Sequence, residues 1–72
     1  MKKSELLLKN NVRVARVSRH LSQQDLADLC GTSQVTISAI ENEKWVPSVK
    51  LALILSVALN EPINYLFWLD VC

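Results

Sequence analysis

Seventy-two residues, half of them apolar, with one Gly, two Pro and two Cys, can build one small domain and exclude a two-domain enzyme. A chain of this size buries only about 60% of its unfolded surface, so the apolar content exceeds the needs of one small core and points to a second chain. The net charge of +1 hides an asymmetry: residues 1–24 hold six basic side chains against Glu5 alone, or +5, whereas residues 25–72 hold Lys44 and Lys50 against six acids, or −4. A basic first third of this kind suits an anionic partner.

Sparse Gly and Pro argue against a β-rich fold, which needs many special turns, and favour short helices joined by short connections. The first helix is expected from about Asn10 to Arg19, with Leu8, Val12 and Ala15 on one side and Lys9, Arg13 and Arg16 on another. Ser22 is a good N-cap for the second helix, and Asp25 stands where a capping box places its acid. Gly31 ends that helix, because only glycine enters the left-handed conformation without a Cβ penalty. Ser33 caps a third helix, Gln34 to Asn42, with Ile37 and Ile40 facing inward. After the polar stretch from Glu43 to Ser48, a fourth helix runs to Leu59 with Asn60 as its stop. Pro62 suits the first turn of a fifth, to about Leu69, with Leu66 and Phe67 as its core pair. The expected fold class is all-α, a compact five-helix bundle. It forms a single domain over residues 1–72, with an N-terminal arm at about 1–7 and a core at 8–69.

Two cysteines and the single His20 cannot assemble a four-ligand zinc site or a disulfide framework. No nucleotide loop or Ser/His/acid set is present, so no enzyme activity, cofactor, metal or small-molecule ligand is expected. The short Leu6–Leu8 run cannot form a signal-peptide core, and no apolar run approaches the roughly 18 residues of a membrane span. The default expectation is a cytoplasmic protein.

Helix, three-residue turn with glycine, helix is the pattern of the DNA-binding helix-turn-helix, whose second helix enters the major groove. Ala27 is small enough for close helix approach, and Ser33, Gln34, Val35, Thr36 and Ser38 leave an outward face that is mostly polar. The stretch from Leu21 to Asn42, with Ser-Gln-x-x-Leu-Ala at 22–27 and Ser-x-x-Thr-Ile-Ser-x-Ile-Glu-Asn at 33–42, closely resembles lambda repressor and Cro-like regulators, the Xre family. The likeness extends over about residues 8–69. It implies a sequence-specific transcriptional regulator of prokaryotic or phage type, most simply a dimeric repressor bound to double-stranded DNA at a palindromic operator. The alternative is a protein-binding module, such as an antitoxin, that pairs with an unlike protein.

The resemblance also implies roles. Gln23 braces the DNA backbone and the recognition helix; Gln34 and Val35 meet base edges, with Ser33, Thr36 and Ser38 at the rim; Asn42 and Lys44 contact phosphates; Arg16 and Glu41 form a partly buried ion pair. His20 and Glu43 stand where relatives usually carry glycine, and Glu43 brings a negative charge near the expected DNA backbone. Glutamine can grip adenine N6 and N7 together and valine can meet a thymine methyl, whereas a recognition helix without Arg or Lys lacks the bidentate guanine contact. Read positions should therefore include A·T pairs. Phosphate charge can also come from Lys9, Arg13, Arg19 and Lys50.

From Val49 to Leu59 only Lys50 and Ser56 are not apolar, and relatives usually carry polar residues where Ile54 and Val57 stand. A helix so apolar is buried on more than one side. Ile54, Val57, Tyr65 and Trp68 are therefore expected to form a homodimer interface through helices four and five, with Leu29 and Leu6–Leu8 as possible extensions. Such a dimer would set two recognition helices about 34 Å apart.

Overall fold

Ser22, Ser33 and Ser48 each put a hydroxyl oxygen where it accepts the backbone N–H three residues on, at 2.9, 3.1 and 3.1 Å. Each thereby satisfies an N–H that the first turn leaves without a helical partner. In the computed structural model, which describes residues 6–71, they start α2 (Gln23–Cys30), α3 (Gln34–Glu41) and α4 (Val49–Leu59). Asp25 completes a capping box by accepting the Ser22 N–H at 2.9 Å. Gly31, at φ 68°, and Asn60, at φ 51°, close α2 and α4 in the left-handed conformation. Before them lies α1 (Val12–Ser18), and after α4 comes the single-turn α5 (Ile63–Leu66).

The fold is not purely helical. Among the described residues, five helices are joined by a two-stranded antiparallel sheet, β1 (Leu6–Asn10) with β2 (Phe67–Val71), in the register Leu6 to Val71, Leu8 to Leu69 and Asn10 to Phe67. This corrects the all-α expectation. The fifth helix stops at Leu66 instead of reaching Leu69, because Phe67 turns extended at φ −136° and pairs with the start of the chain. Phe-Trp-Leu-Asp-Val is rich in aromatic and branched residues, which suit a pleated strand better than a helix. Residues 1–5 of the expected arm lie outside the described residues, and Leu6 and Leu7 belong to β1.

The first helix also starts later than Asn10. The Asn10 side chain accepts the Val12 N–H at 3.1 Å and donates to the Ile40 carbonyl at 2.9 Å, turning the chain out of β1 and fastening it to the end of α3. Asn11 then ties α1 to α5, its N–H reaching the Leu66 carbonyl at 2.9 Å. Between these ties, Val12, Ala15, Leu26, Ala27, Ile37, Ile40, Leu55, Leu59 and Leu66 form a core with at most 1% of each residue exposed, and Cys30 joins it. Leu66 of the expected core pair is fully buried; Phe67 packs against the cluster from its edge.

Candidate nucleic-acid interface

Ala27 on α2 and Ile37 on α3 are fully buried, and the turn between the helices is closed by Gly31 and by the Thr32 N–H bonding the Ala27 carbonyl at 3.0 Å. The core-facing stripe of α3 (Ile37, Ile40) is thereby fixed, and so is the opposite face. Gln34 and Val35 are exposed on that face at the capped N-terminus, with 73% of Val35 open to solvent. Ser33 is exposed, with Thr36 and Ser38 half-buried beside it. The Ser33 and Thr36 hydroxyls lie 2.9 Å apart while Ser33 also caps the helix, so both are engaged in local order.

A chain of polar contacts runs from the protein interior to this face. The Glu41 side chain has no exposed surface; Arg16 grips it from α1 through Nε at 2.7 Å and Nη2 at 3.2 Å. Arg16 also donates to the Leu21 carbonyl at 2.7 Å, holding the loop ahead of α2. Glu41 Oε1 accepts the Gln23 amide at 3.1 Å, and Gln23 Oε1 accepts the Gln34 amide at 2.7 Å. An ionised carboxylate only accepts, so Gln23 must turn its NH2 inward and its oxygen outward. Gln34 in turn donates one N–H to Gln23, leaving its second N–H and its carbonyl oxygen for an outside partner. Those two groups form the donor–acceptor pair that an adenine edge requires.

Electrostatics hold this arrangement. Burial pushes the Glu41 carboxyl upward, but hydrogen bonds from Arg16 and Gln23, the Arg16 charge and the Arg13 contact outweigh it, and its pKa falls below the ordinary carboxylate value. Arg13, expected to offer its charge to a phosphate, takes part here instead. Its Nε lies 3.4 Å from Glu41 Oε1 and its Nη2 lies 3.4 Å from the Asn42 side-chain oxygen Oδ1. Arg13 and Arg16 are spaced i, i+3 on α1, the signal by which both could have been assigned to one carboxylate.

At the far end of α3, Asn42 and Lys44 are exposed, and Asn42 donates to Ser38 at 3.3 Å. His20 and Glu43, in the positions where the resemblance to the Xre family implies glycine, both have left-handed backbones, at φ 57° and 60°. The chain therefore keeps the turn geometry while accepting side-chain strain. Lys9 pairs with Glu43 at 3.3 Å, and Arg19 pairs with Glu61 at 3.3 Å while also bonding the Ala15 carbonyl. Among the described residues, Lys44 and Lys50 have no carboxylate within ion-pair distance.

The four expected interface residues divide. Ile54 and Val57 line an apolar groove of about 650 Å3 together with Leu29, Val49 and Leu53; Tyr65 and Trp68 are exposed but do not line it. Cys30 is buried, which pushes its thiol upward. Among the described residues no cluster of three His, Cys, Asp or Glu side chains could hold a metal, and no helix is long and apolar enough to cross a membrane.

A helix-turn-helix family model matches residues 12–66. YgzD of Bacillus subtilis, an uncharacterised HTH-type transcriptional regulator, is 35% identical over 63 residues, spanning 88% of this chain and 96% of that protein. An uncharacterised HTH-type transcriptional regulator of Methanocaldococcus jannaschii is 47% identical over 45 residues, 62% of this chain and 68% of its own. Among solved structures, the hypothetical transcription factor NHTF from Neisseria superposes with a TM-score of 0.71 at 29% identity, over 76% of this chain but only 63% of that one. The restriction-modification controller protein C.AhdI from Aeromonas hydrophila gives a TM-score of 0.72 at 27% identity, over 76% of this chain and 80% of its own.

Proposed function

Because the chain belongs to the helix-turn-helix family of DNA-binding transcriptional regulators, we propose that it represses transcription as a homodimer, each copy laying α3 in the major groove of one half of a palindromic operator. The observation that carries the base-reading part is the hydrogen-bonded line from Glu41 through Gln23 to Gln34. A glutamine whose amide orientation is set from inside the protein is preorganised to read one base edge. Gln34 reads adenine and Val35 meets a thymine methyl, with Ser33, Thr36 and Ser38 around them. Asn42, Lys44 and Gln23 position the complex on phosphates, which contribute affinity without sequence information.

Dimerisation through Ile54, Val57, Tyr65 and Trp68 doubles the site and sets the two recognition helices about one DNA turn, roughly 34 Å, apart. Support for it is the apolar surface that α4, α5 and β2 leave outside the core. An electrophoretic shift with the DNA upstream of the chain's own gene tests the whole proposal. Retardation at low protein concentration that a scrambled duplex does not compete supports it. Equal competition by any duplex contradicts it.

A further inference from the structure

The amide of Gln34 cannot be reversed without breaking a chain of hydrogen bonds that begins in the interior. Arg16 fixes the Glu41 carboxylate, whose side chain has no exposed surface, at 2.7 and 3.2 Å. Gln23 has to bring its NH2 to that carboxylate, at 3.1 Å, and its oxygen to Gln34, at 2.7 Å. Turning the Gln34 amide over would set its oxygen against the Gln23 oxygen. Turning both over would set the Gln23 oxygen against Glu41. The hydroxyls beside Gln34 do not make up for a lost partner, since Ser33 and Thr36 lie 2.9 Å apart and Ser33 also accepts the Thr36 N–H at 3.1 Å. Val35, the other exposed neighbour, is apolar.

Such rigidity matters for one chemical change in DNA. A paired adenine carries two N6 hydrogens: one bonds thymine, and the other lies in the major groove beside N7. A methyl group on N6 takes the groove-side place, because the other hydrogen is needed for the base pair. The edge then offers N7 and a methyl group where Gln34 brings an N–H and a carbonyl oxygen. That oxygen loses its donor and meets carbon, and it cannot turn away without breaking the 2.7 Å bond to Gln23. A glutamine with no such bond would swing its oxygen into water and keep one N–H on N7. We propose that Gln34 distinguishes adenine from N6-methyladenine, so that methylation of the adenine it reads releases the chain from its DNA. This inference rests on the base-reading part of the proposed function, to which it adds a means of regulation, and it is independent of how two copies pair.

Binding sites selected from a random duplex library first locate the A·T pair whose preference Gln34→Ala abolishes. The Kd of the full chain is then measured by fluorescence anisotropy on three duplexes: the selected one, the same with N6-methyladenine at the read pair, and the same with N6-methyladenine outside the half-sites. Methylation at the read pair should weaken the wild type about thirtyfold or more, because a bidentate contact is lost and a carbonyl is left without a donor. Methylation outside the half-sites should leave Kd unchanged. Gln34→Ala should bind all three duplexes equally. Gln23→Ala should bind each of them more weakly than the wild type does, yet its penalty for methylation should shrink to about threefold, because its Gln34 amide is free to turn. Two results overturn the inference while the base reading stands. One is a wild type that binds the methylated read pair as tightly as the plain one, or more tightly, although Gln34→Ala has lost its preference. The other is a methylation penalty that Gln34→Ala keeps in full. An unchanged preference at every pair in Gln34→Ala overturns the base reading, and this inference with it.

Discussion

Glu41 is the residue on which the interior and the outer face both depend, since Arg16, Arg13 and Gln23 all donate to it. Removing one member of a buried ion pair strips the other charge of its nearest partner; Arg16→Ala leaves Glu41 only the 3.4 Å Arg13 contact and the Gln23 amide, and should cost about 3 kcal/mol of stability by denaturant unfolding. Glu41 has a folded pKa below its unfolded one. Its contribution is therefore fully present above the unfolded value of about 4.3 and is lost as the pH falls through the lower folded value. A urea midpoint that declines on acidification below about pH 4.3 in the wild type, and declines less in Glu41→Gln, checks this sign. His20 and Glu43 give a second test, because both adopt a left-handed backbone without being glycine. His20→Gly should stabilise the fold by up to about 1 kcal/mol as the strain is relieved. Glu43→Gly should in addition tighten DNA binding, because it removes a negative charge and frees Lys9 from its 3.3 Å pair; unchanged affinity would count against the phosphate path placed beside α3.

Elements whose ends are set by local chemistry were legible from the residues alone. Ser22 with Asp25, Gly31, Ser33, Ser48 and Asn60 each solve a problem of unpaired N–H or carbonyl groups within four residues, and the boundaries of α2, α3 and α4 follow them. Ser33→Ala should accordingly cost about 1 kcal/mol by thermal unfolding, because it leaves the Thr36 N–H without its acceptor. The sheet was not legible, because β1 and β2 come from opposite ends of the chain and neither run is long or strictly alternating. What decides Phe67–Val71 is a partner some sixty residues away, together with Asn10, whose two hydrogen bonds turn the strand into α1. The candidate site divides the same way. The spacing of Gln23, Gln34 and Val35 was readable from the family pattern, but the carboxylate that orients both glutamines is a tertiary contact between α1, α2 and α3. Arg13 was expected to offer charge to a phosphate, and the fold places it against Glu41 and Asn42.

Over the whole molecule, the +5 of residues 1–24 is partly spent within the chain, since Lys9, Arg13, Arg16 and Arg19 all face carboxylates. Affinity for DNA should still fall as salt rises, with a slope of about −0.9 for each phosphate neutralised. The slope should lessen by about one on Lys44→Ala without a change in the preferred sequence. The exposed side chains at the start of α3, Ser33, Gln34 and Val35, are neutral, so in the proposed complex preference and electrostatic affinity reside in different residues. The claim that Gln34 reads an A·T pair is tested most directly by selecting binding sites from a random duplex library with the wild-type chain and with Gln34→Ala. The wild type should return A·T at a fixed position in each half-site. Gln34→Ala should lose preference at that pair alone, at a cost of about 1 to 3 kcal/mol. G·C at every read position, or an equal weakening on all sequences, would contradict the account.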